Sequence, residues 1–209
     1  MIEYVTWETA HLFGEAWISH HRLRHRLFID RNGWEVPSYN GLEYDQFDTP
    51  AAVYLVWRDA AGQARGTTRL IPTLRPYMLK EIWPHMVTRE PLPSSREVWE
   101  STRIGVDRDL DSTTRRQICG ELVAGSLEYG LLNGIDRYIF LMPLAIMKSL
   151  LVRAGCPIAL LGEPRKLDGH LVAAAEVKIS RRVLAEVRRR HGFVTSVLNI
   201  AGRPAKVAA

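Results

Sequence analysis

The sequence has only two cysteines, Cys119 and Cys156, with no CxxC pair and no metal-ligand spacing. That excludes a disulfide framework and a zinc ribbon, and both read as buried thiols. Apolar runs are short: none approaches the roughly 18 residues a spanning helix needs, and MIEYVTWETAHLF has neither the basic nor the apolar region of a secretory signal. A cytoplasmic protein that makes no membrane contact is expected. There is no G-x-G-x-x-G after a strand and no G-x-x-x-x-G-K-[ST], which removes the usual dinucleotide and nucleoside-triphosphate readings. A G-x-S-x-G elbow is missing too, and neither cysteine carries the signature of a catalytic thiol, so covalent nucleophilic catalysis is not expected. No solenoid period and no Gly/Ser-rich linker divides the chain, so one domain over residues 1–209 is the economical reading.

What is present is a folded globular composition, 46% hydrophobic over 209 residues. Lys and Arg exceed Asp and Glu by 28 to 23, and RRVLAEVRRRH near the C-terminus holds five of the arginines. Such a surface favours an acidic or phosphate-bearing partner. No docking motif accompanies the arginines, so no nucleic acid is expected.

Residues 2–7 read as an opening strand, and 14–32 as an amphipathic helix stopped by Gly33. A long acidic and aromatic loop then runs to Pro50 with little regular structure. AAVYLVWRD and RGTTRLIPT read as a hairpin across AAGQA. PYMLKEIWP reads as a short helix, VWESTRIGVD as a strand, and 113–134 as a helix capped by Ser112 or Thr113. DRYIFLMP, PIALLGEP and AAAEVKIS read as strands, LAIMKSLLVRAG and RRVLAEVRRRHG as helices, and the last dozen residues as frayed. Antiparallel strands come first and strand–helix alternation later. The class is therefore α/β, a mixed central sheet with helices on both faces. The order also fits an N-acetyltransferase (GNAT)-like three-layer sandwich, in which a thioester enters between two splayed central strands.

Several segments carry chemistry-bearing residues. His21 and His25 have the i, i+4 spacing of two metal ligands, but no acid stands between them in the H-E-x-x-H manner, and no metal is expected. RRQICGEL opens a helix where free N–H groups attract phosphate, and Gln117-x-x-Gly120 partly matches an acetyltransferase pyrophosphate loop, with Leu122 where a small residue belongs. The fullest set is distributed. Arg24 and Phe28 share a helix face, Trp34 follows it, Glu43, Asp45 and Asp48 lie in the loop, Arg69 is on the hairpin, and Glu100 to Arg103 open the next strand. Taken singly, each has a plain structural explanation.

Taken together, the set resembles the acyl-homoserine-lactone synthases, the autoinducer synthases of bacterial quorum sensing. The family pattern of Arg-x-x-x-Phe, Trp, Glu-x-Asp-x-x-Asp, a hairpin Arg and Glu-x-Ser-Arg is met by Arg24, Phe28, Trp34, Glu43, Asp45, Asp48, Arg69, Glu100 and Arg103. Thr102 replaces the usual Ser and keeps the hydroxyl, and Trp83 stands where Phe is common. The resemblance implies transfer of an acyl group from acyl-CoA or acyl carrier protein to the amine of S-adenosylmethionine. Lactone closure then expels methylthioadenosine. Both small molecules are substrates, so no cofactor is expected. A plain GNAT-type N-acyltransferase acting on another amine is the alternative.

The implied acceptor pocket uses Arg24, Phe28, Trp34, Glu43, Asp48 and Arg69, with Trp34 and Phe28 facing the sulfonium and the acids supplying a negative field. The arginines would keep those acids ionised by bidentate pairing. Glu100 is the expected general base with Asp45 the alternative, and Arg103 and Thr102 complete the catalytic set, a strand N–H, Ser101 or Thr102 serving the oxyanion. The implied acyl pocket is Trp83, Met142, Leu144, Ile146 and Met147. It lacks the Thr of 3-oxo-handling members, which favours an unsubstituted, branched or aromatic chain.

Overall fold

The β-branched and apolar runs of this chain form strands, and the strands assemble into one large sheet that positions everything else. The structure, a computed structural model, describes residues 2–199. Its strands are β1 (Ile2–Val5), β2 (Ser38–Tyr39), β3 (Leu42–Glu43), β4 (Val53–Arg58), β5 (Ala64–Pro72), β6 (Val98–Val106), β7 (Arg137–Pro143), β8 (Ile158–Leu160), β9 (Arg165–Leu167), β10 (His170–Lys178) and β11 (Leu198–Asn199). The helices are α1 (Gly14–Arg24), α2 (Met78–Glu81), α3 (Ser112–Leu132), α4 (Leu144–Met147) and α5 (Arg181–His191). Among the described residues no helix is long and apolar enough to cross a membrane.

The sheet order is β11-β1-β4-β5-β6-β7-β10-β8, with β9 also paired to β10, and β2 and β3 form a separate hairpin. Alternation along β4 sorts the two faces. Val53 and Leu55 join a cluster with α3 and α5, whereas Tyr54 and Val56 join one with α1 and α2. The sheet is therefore mixed, with helices on both faces, as expected. Each fully buried aliphatic such as Leu55 or Leu70 contributes about 1.5–3 kcal/mol to holding the layers together.

The centre of the sheet forks. β6 and β7 run parallel but pair only from Val98 to Glu100 against Arg137 to Ile139. Beyond that point Ser101 to Val106 and Phe140 to Pro143 have no common ladder, which leaves an opening between two central strands. Across β5, Thr67 faces Gly105 and Arg69 faces Thr102. Two β6 residues, Arg103 and Ile104, thus oppose Thr68 alone. Such a bulge bends the strand and re-aims its side chains.

Several boundaries differ from the sequence reading. The first helix is α-helical only to Arg24 and then loosens into a π-helical turn over His25–Asp30, while Gly33 stops it at φ +67°. LAIMKSLLVRAG behaves alike, four α-helical residues giving way to a π turn over Lys148–Val152. The cap of α3 is Asp111, not Ser112 or Thr113: its carboxylate accepts from the N–H groups of Thr113 and Thr114. β1 ends at Val5, two residues early. The loop before Pro50 is more ordered than expected, because Asn40 and Gly41, both at positive φ, turn β2 into β3. Asp168 and Gly169 likewise turn β9 into β10, which starts three residues before the expected strand. Of the last dozen residues, Leu198 and Asn199 form β11 beside β1; the others lie outside the described residues.

Candidate active site

Three arginines from three elements converge on three acids from one loop. Arg24 at the end of α1 makes a bidentate pair with Asp48, at 2.7 and 2.8 Å, and its Nε donates to Glu43. Arg69, central on β5, pairs bidentately with Asp45 at 2.6 and 2.9 Å and also reaches Asp48 at 2.8 Å. Arg103 bridges Glu43 at 3.0 Å and Asp45 at 2.7 Å. Arg103 reaches them because the bulge holds its backbone at φ +52°. That left-handed conformation costs a non-glycine residue about 1–2 kcal/mol.

All six side chains are buried. Burial alone would raise the Asp48 carboxyl, but hydrogen bonds from Arg24 and the Arg69 charge outweigh it and hold it well below the usual range. Asp45 is lowered in the same way, chiefly by Arg69 against burial. Arg24 answers its partners: burial works against its charge, and Asp48 and Glu43 more than restore it. Tyr54 adds a hydroxyl that donates to Asp48 at 2.7 Å. The three carboxylates are thus matched by three guanidiniums. The bidentate pairing expected of the arginines is present, and two backbone donors add to it, the Asp45 N–H to Asp48 and the Phe47 N–H to Asp45.

The aromatics are engaged as well. Trp34 stacks on Phe28 with centroids 5.0 Å apart, and the Arg103 guanidinium lies 5.4 Å from each ring. The cation resting on those faces here is therefore Arg103. Trp34 keeps 37% of its surface exposed and so offers its outer side to a ligand.

Glu100 has a different environment. It is 1% exposed and is the last β6 residue paired to β7. Its carboxylate accepts from the N–H groups of Met78 at 2.9 Å and Leu79 at 2.7 Å, the first residues of α2. Among the described residues no arginine hydrogen-bonds to it, although the Arg69 charge acts on it. Burial pushes its pKa up to about 7, with the two N–H groups opposing the shift only in part. Asp45, lowered and doubly arginine-bound, is by contrast a poor base. The Thr102 hydroxyl accepts from Arg69 Nε at 3.1 Å, and the Ser101 hydroxyl lies 3.3 Å from that of Thr68.

The Met78 sulfur accepts from Arg69 at 3.3 Å, joining α2 to the arginine cluster. Nothing in the sequence marked Met78 or Tyr54. The Asn40-Gly41 turn was missed, although Asn-Gly between short extended segments is a hairpin signal that could have found it.

The five expected acyl-pocket residues do not gather. Met142 and Met147 sit in the cluster on the α3 face with Leu144 against it, whereas Trp83 packs on the α1 face. Ile146 is 41% exposed. The helical period sets Leu144 and Met147 toward the cluster and leaves Ile146 outside it.

His21 and His25 do not converge. His21 is buried with Nδ1 2.9 Å from the Glu43 carbonyl, and His25 pairs with Asp30 at 3.2 Å. Among the described residues no group of three or more His, Cys, Asp or Glu is arranged to hold a metal. At the start of α3, Gln117 is spent on Glu121 at 2.9 Å, and Leu122 is fully buried.

The model of the autoinducer synthase family matches residues 13–187. A Bradyrhizobium diazoefficiens protein named isovaleryl-homoserine lactone synthase is 30% identical over 203 residues, which is 94% of this chain and 88% of that protein. Among solved structures, BjaI, described as a CoA-dependent acyl-homoserine lactone synthase with SAM and isopentyl-CoA, superposes with a TM-score of 0.87 at 29% identity. The match covers 98% of this chain and 94% of that one. A Lactobacillus plantarum structure named as an N-acetyltransferase shares the fold alone, with a TM-score of 0.55 at 14% identity over 86% of this chain and 98% of the other.

Proposed function

The chain belongs to the autoinducer synthase family, and on that premise we propose that it is an acyl-homoserine-lactone synthase taking its acyl group from coenzyme A. It joins that group to the amine of S-adenosylmethionine and closes the lactone with release of methylthioadenosine. Support for the donor and acceptor comes from the BjaI structure, described with SAM and isopentyl-CoA, and from the relative named for an isovaleryl product. The acyl chain is accordingly unsubstituted or branched rather than 3-oxo. We place the reaction in the cytoplasm, where both substrates are found.

The observation that carries the mechanism is Glu100, a buried carboxyl with a pKa near 7 at the fork of β6 and β7. A base of that strength holds a useful deprotonated fraction at neutral pH and can still accept a proton from an ammonium. Glu100 removes the proton from the acceptor amine, whose nitrogen attacks the thioester carbonyl. The C–N bond forms, the C–S bond breaks, and coenzyme A leaves as the thiol. The oxyanion formed on the way needs donors, for which a backbone N–H of β6 with the Ser101 or Thr102 hydroxyl is the candidate set. In the second half the methionine carboxylate attacks its own γ-carbon, and the sulfonium sulfur leaves with the electron pair. Holding the substrate bent suffices for that step.

The arginine–acid network then serves as scaffold. It fixes the loop of Trp34 and the acids against α1, β5 and β6, so the acceptor meets a preorganised wall. Incubating the purified protein with S-adenosylmethionine and isovaleryl-CoA and following both products by mass spectrometry tests the reading. Equimolar methylthioadenosine and acyl-homoserine lactone are expected. An acylated amine without methylthioadenosine would instead make this a plain N-acyltransferase.

A further inference from the structure

We propose that His21 is a positioning residue for the acceptor side of the site, an inference that rests on the functional reading above. Arg24 holds the side chains of Glu43 and Asp48, while His21, three residues earlier on the same face of α1, holds the backbone of the same strand. Its Nδ1 lies 2.9 Å from the Glu43 carbonyl oxygen. A carbonyl only accepts, so Nδ1 carries the hydrogen and Nε2 is the bare nitrogen of a neutral ring. The ring also stacks on Tyr44 with centroids 3.8 Å apart and 27° between planes. α1 therefore grips the acidic strand at a side chain, a main-chain carbonyl and the next residue's ring.

The rest of the cage keeps His21 neutral and in place. His20 lies 3.9 Å behind it, with Nδ1 2.6 Å from the Trp17 carbonyl. Trp17 meets His21 edge-on at 4.9 Å, and Tyr54 closes the far side at 6.3 Å. The charged groups facing the ring are Arg24 from α1, Glu43 from β3 and Asp48 from the following loop. Burial, then the Arg24 charge, lower its pKa to about 4. A second positive charge beside Arg24 is thus disfavoured at neutral pH, and the ring acts only as a hydrogen-bond donor and a stacking plate. Glu43 leads directly to Asp45, which Arg69 and Arg103 share. A shift of the Glu43 carbonyl accordingly moves Arg103, which Glu43 and Asp45 both hold and which lies against Trp34.

The test separates the donor from the stack. His21→Phe keeps a ring over Tyr44 but removes the N–H, whereas His21→Asn puts an amide N–H where Nδ1 was. Initial rates of methylthioadenosine release are measured with each substrate varied in turn. In His21→Phe the KM for S-adenosylmethionine rises about tenfold, equivalent to the loss of about 1.4 kcal/mol, while the KM for isovaleryl-CoA and kcat stay within twofold. His21→Asn returns the acceptor KM to within threefold of wild type. An unchanged acceptor KM in His21→Phe overturns the proposal, as does an equal rise in both KM values or an Asn variant no better than Phe. If His21→Phe does not fold, His21→Ala is assayed with added imidazole and with N-methylimidazole, which lacks the N–H. Rescue by imidazole alone supports the proposal, and equal rescue or none overturns it. Wild-type turnover tests the functional reading independently: wild type that makes lactone keeps that reading whatever the variants do, and wild type that makes none removes both.

Discussion

Two kinds of carboxylate lie in one site and are tuned in opposite directions. The loop acids Asp45 and Asp48 are buried among arginines and held below their ordinary range. Glu100 is buried at least as deeply but meets only two backbone N–H groups, and its pKa rises to about 7. Burial penalises charge in both places, and what differs is the compensation. Three guanidiniums overcome desolvation, whereas two amide dipoles do not. One region consequently becomes rigid scaffold and the other keeps a proton that can move.

The comparison breaks most sharply at Glu100. Replacing it with Gln removes the base while preserving shape, and turnover is expected to fall by about 10²–10⁴-fold, with the circular dichroism spectrum unchanged. Near-normal turnover in the purified variant would transfer the role to another group. On the scaffold side, Glu43→Gln leaves Arg24 and Arg103 short of a counter-charge. Breaking a buried pair in this way lowers stability by about 3–5 kcal/mol, measured by urea unfolding. A loss no larger than that of a surface ion pair would show that the network is not the scaffold.

Acid titration sharpens the contrast, because the signs differ. The raised pKa of Glu100 means that the folded state binds its proton more tightly, so this group favours folding at low pH. That contribution fades as pH rises from about 4.5 to about 7. Asp48 is lowered, so its contribution is present above the ordinary carboxylate pKa and is lost as pH falls below about 4. The contribution of these two groups to stability is therefore expected to peak at about pH 4 to 4.5, falling as pH rises toward 7 and falling again in stronger acid. Turnover, which needs ionised Glu100, falls about tenfold per pH unit below about 7; a flat rate from pH 5 to 8 would separate Glu100 from the proton transfer. The smallest effect is expected at Trp34. Its removal by Trp34→Ala strips one aromatic face from Arg103, at 5.4 Å, and from the acceptor. A cation–π loss of about 1 kcal/mol raises the acceptor KM about fivefold, and an equal rise in the thioester KM would place Trp34 outside the acceptor side.

Much of this was legible in residue order. The strand–helix alternation yielded the mixed sheet with helices on both faces, and the distributed Arg, Trp and acid pattern pointed to the family. What resisted reading was local and short. Asn40-Gly41 and Asp168-Gly169 each turn a hairpin too small for periodicity to register, and the α helices around Arg24 and Met147 loosen into π turns that follow no hydrophobic period. Of the expected acyl-pocket residues, Met142, Leu144 and Met147 share one cluster. Met142 and Trp83 lie on opposite faces of the sheet.

Residue order set the inventory: which strands can form, that three arginines and four acids are spaced for one site, and that no nucleophile or nucleotide motif is present. Only the tertiary structure decided how those charges are shared. Arg24, Arg69 and Arg103 come from α1, β5 and β6, and their choice of partner depends on the bulge that turns Arg103 inward. Glu100 instead accepts from the first N–H groups of α2. A carboxylate's ordinary pKa belongs to its residue type; the shifted value belongs to whatever the fold brings within hydrogen-bonding distance.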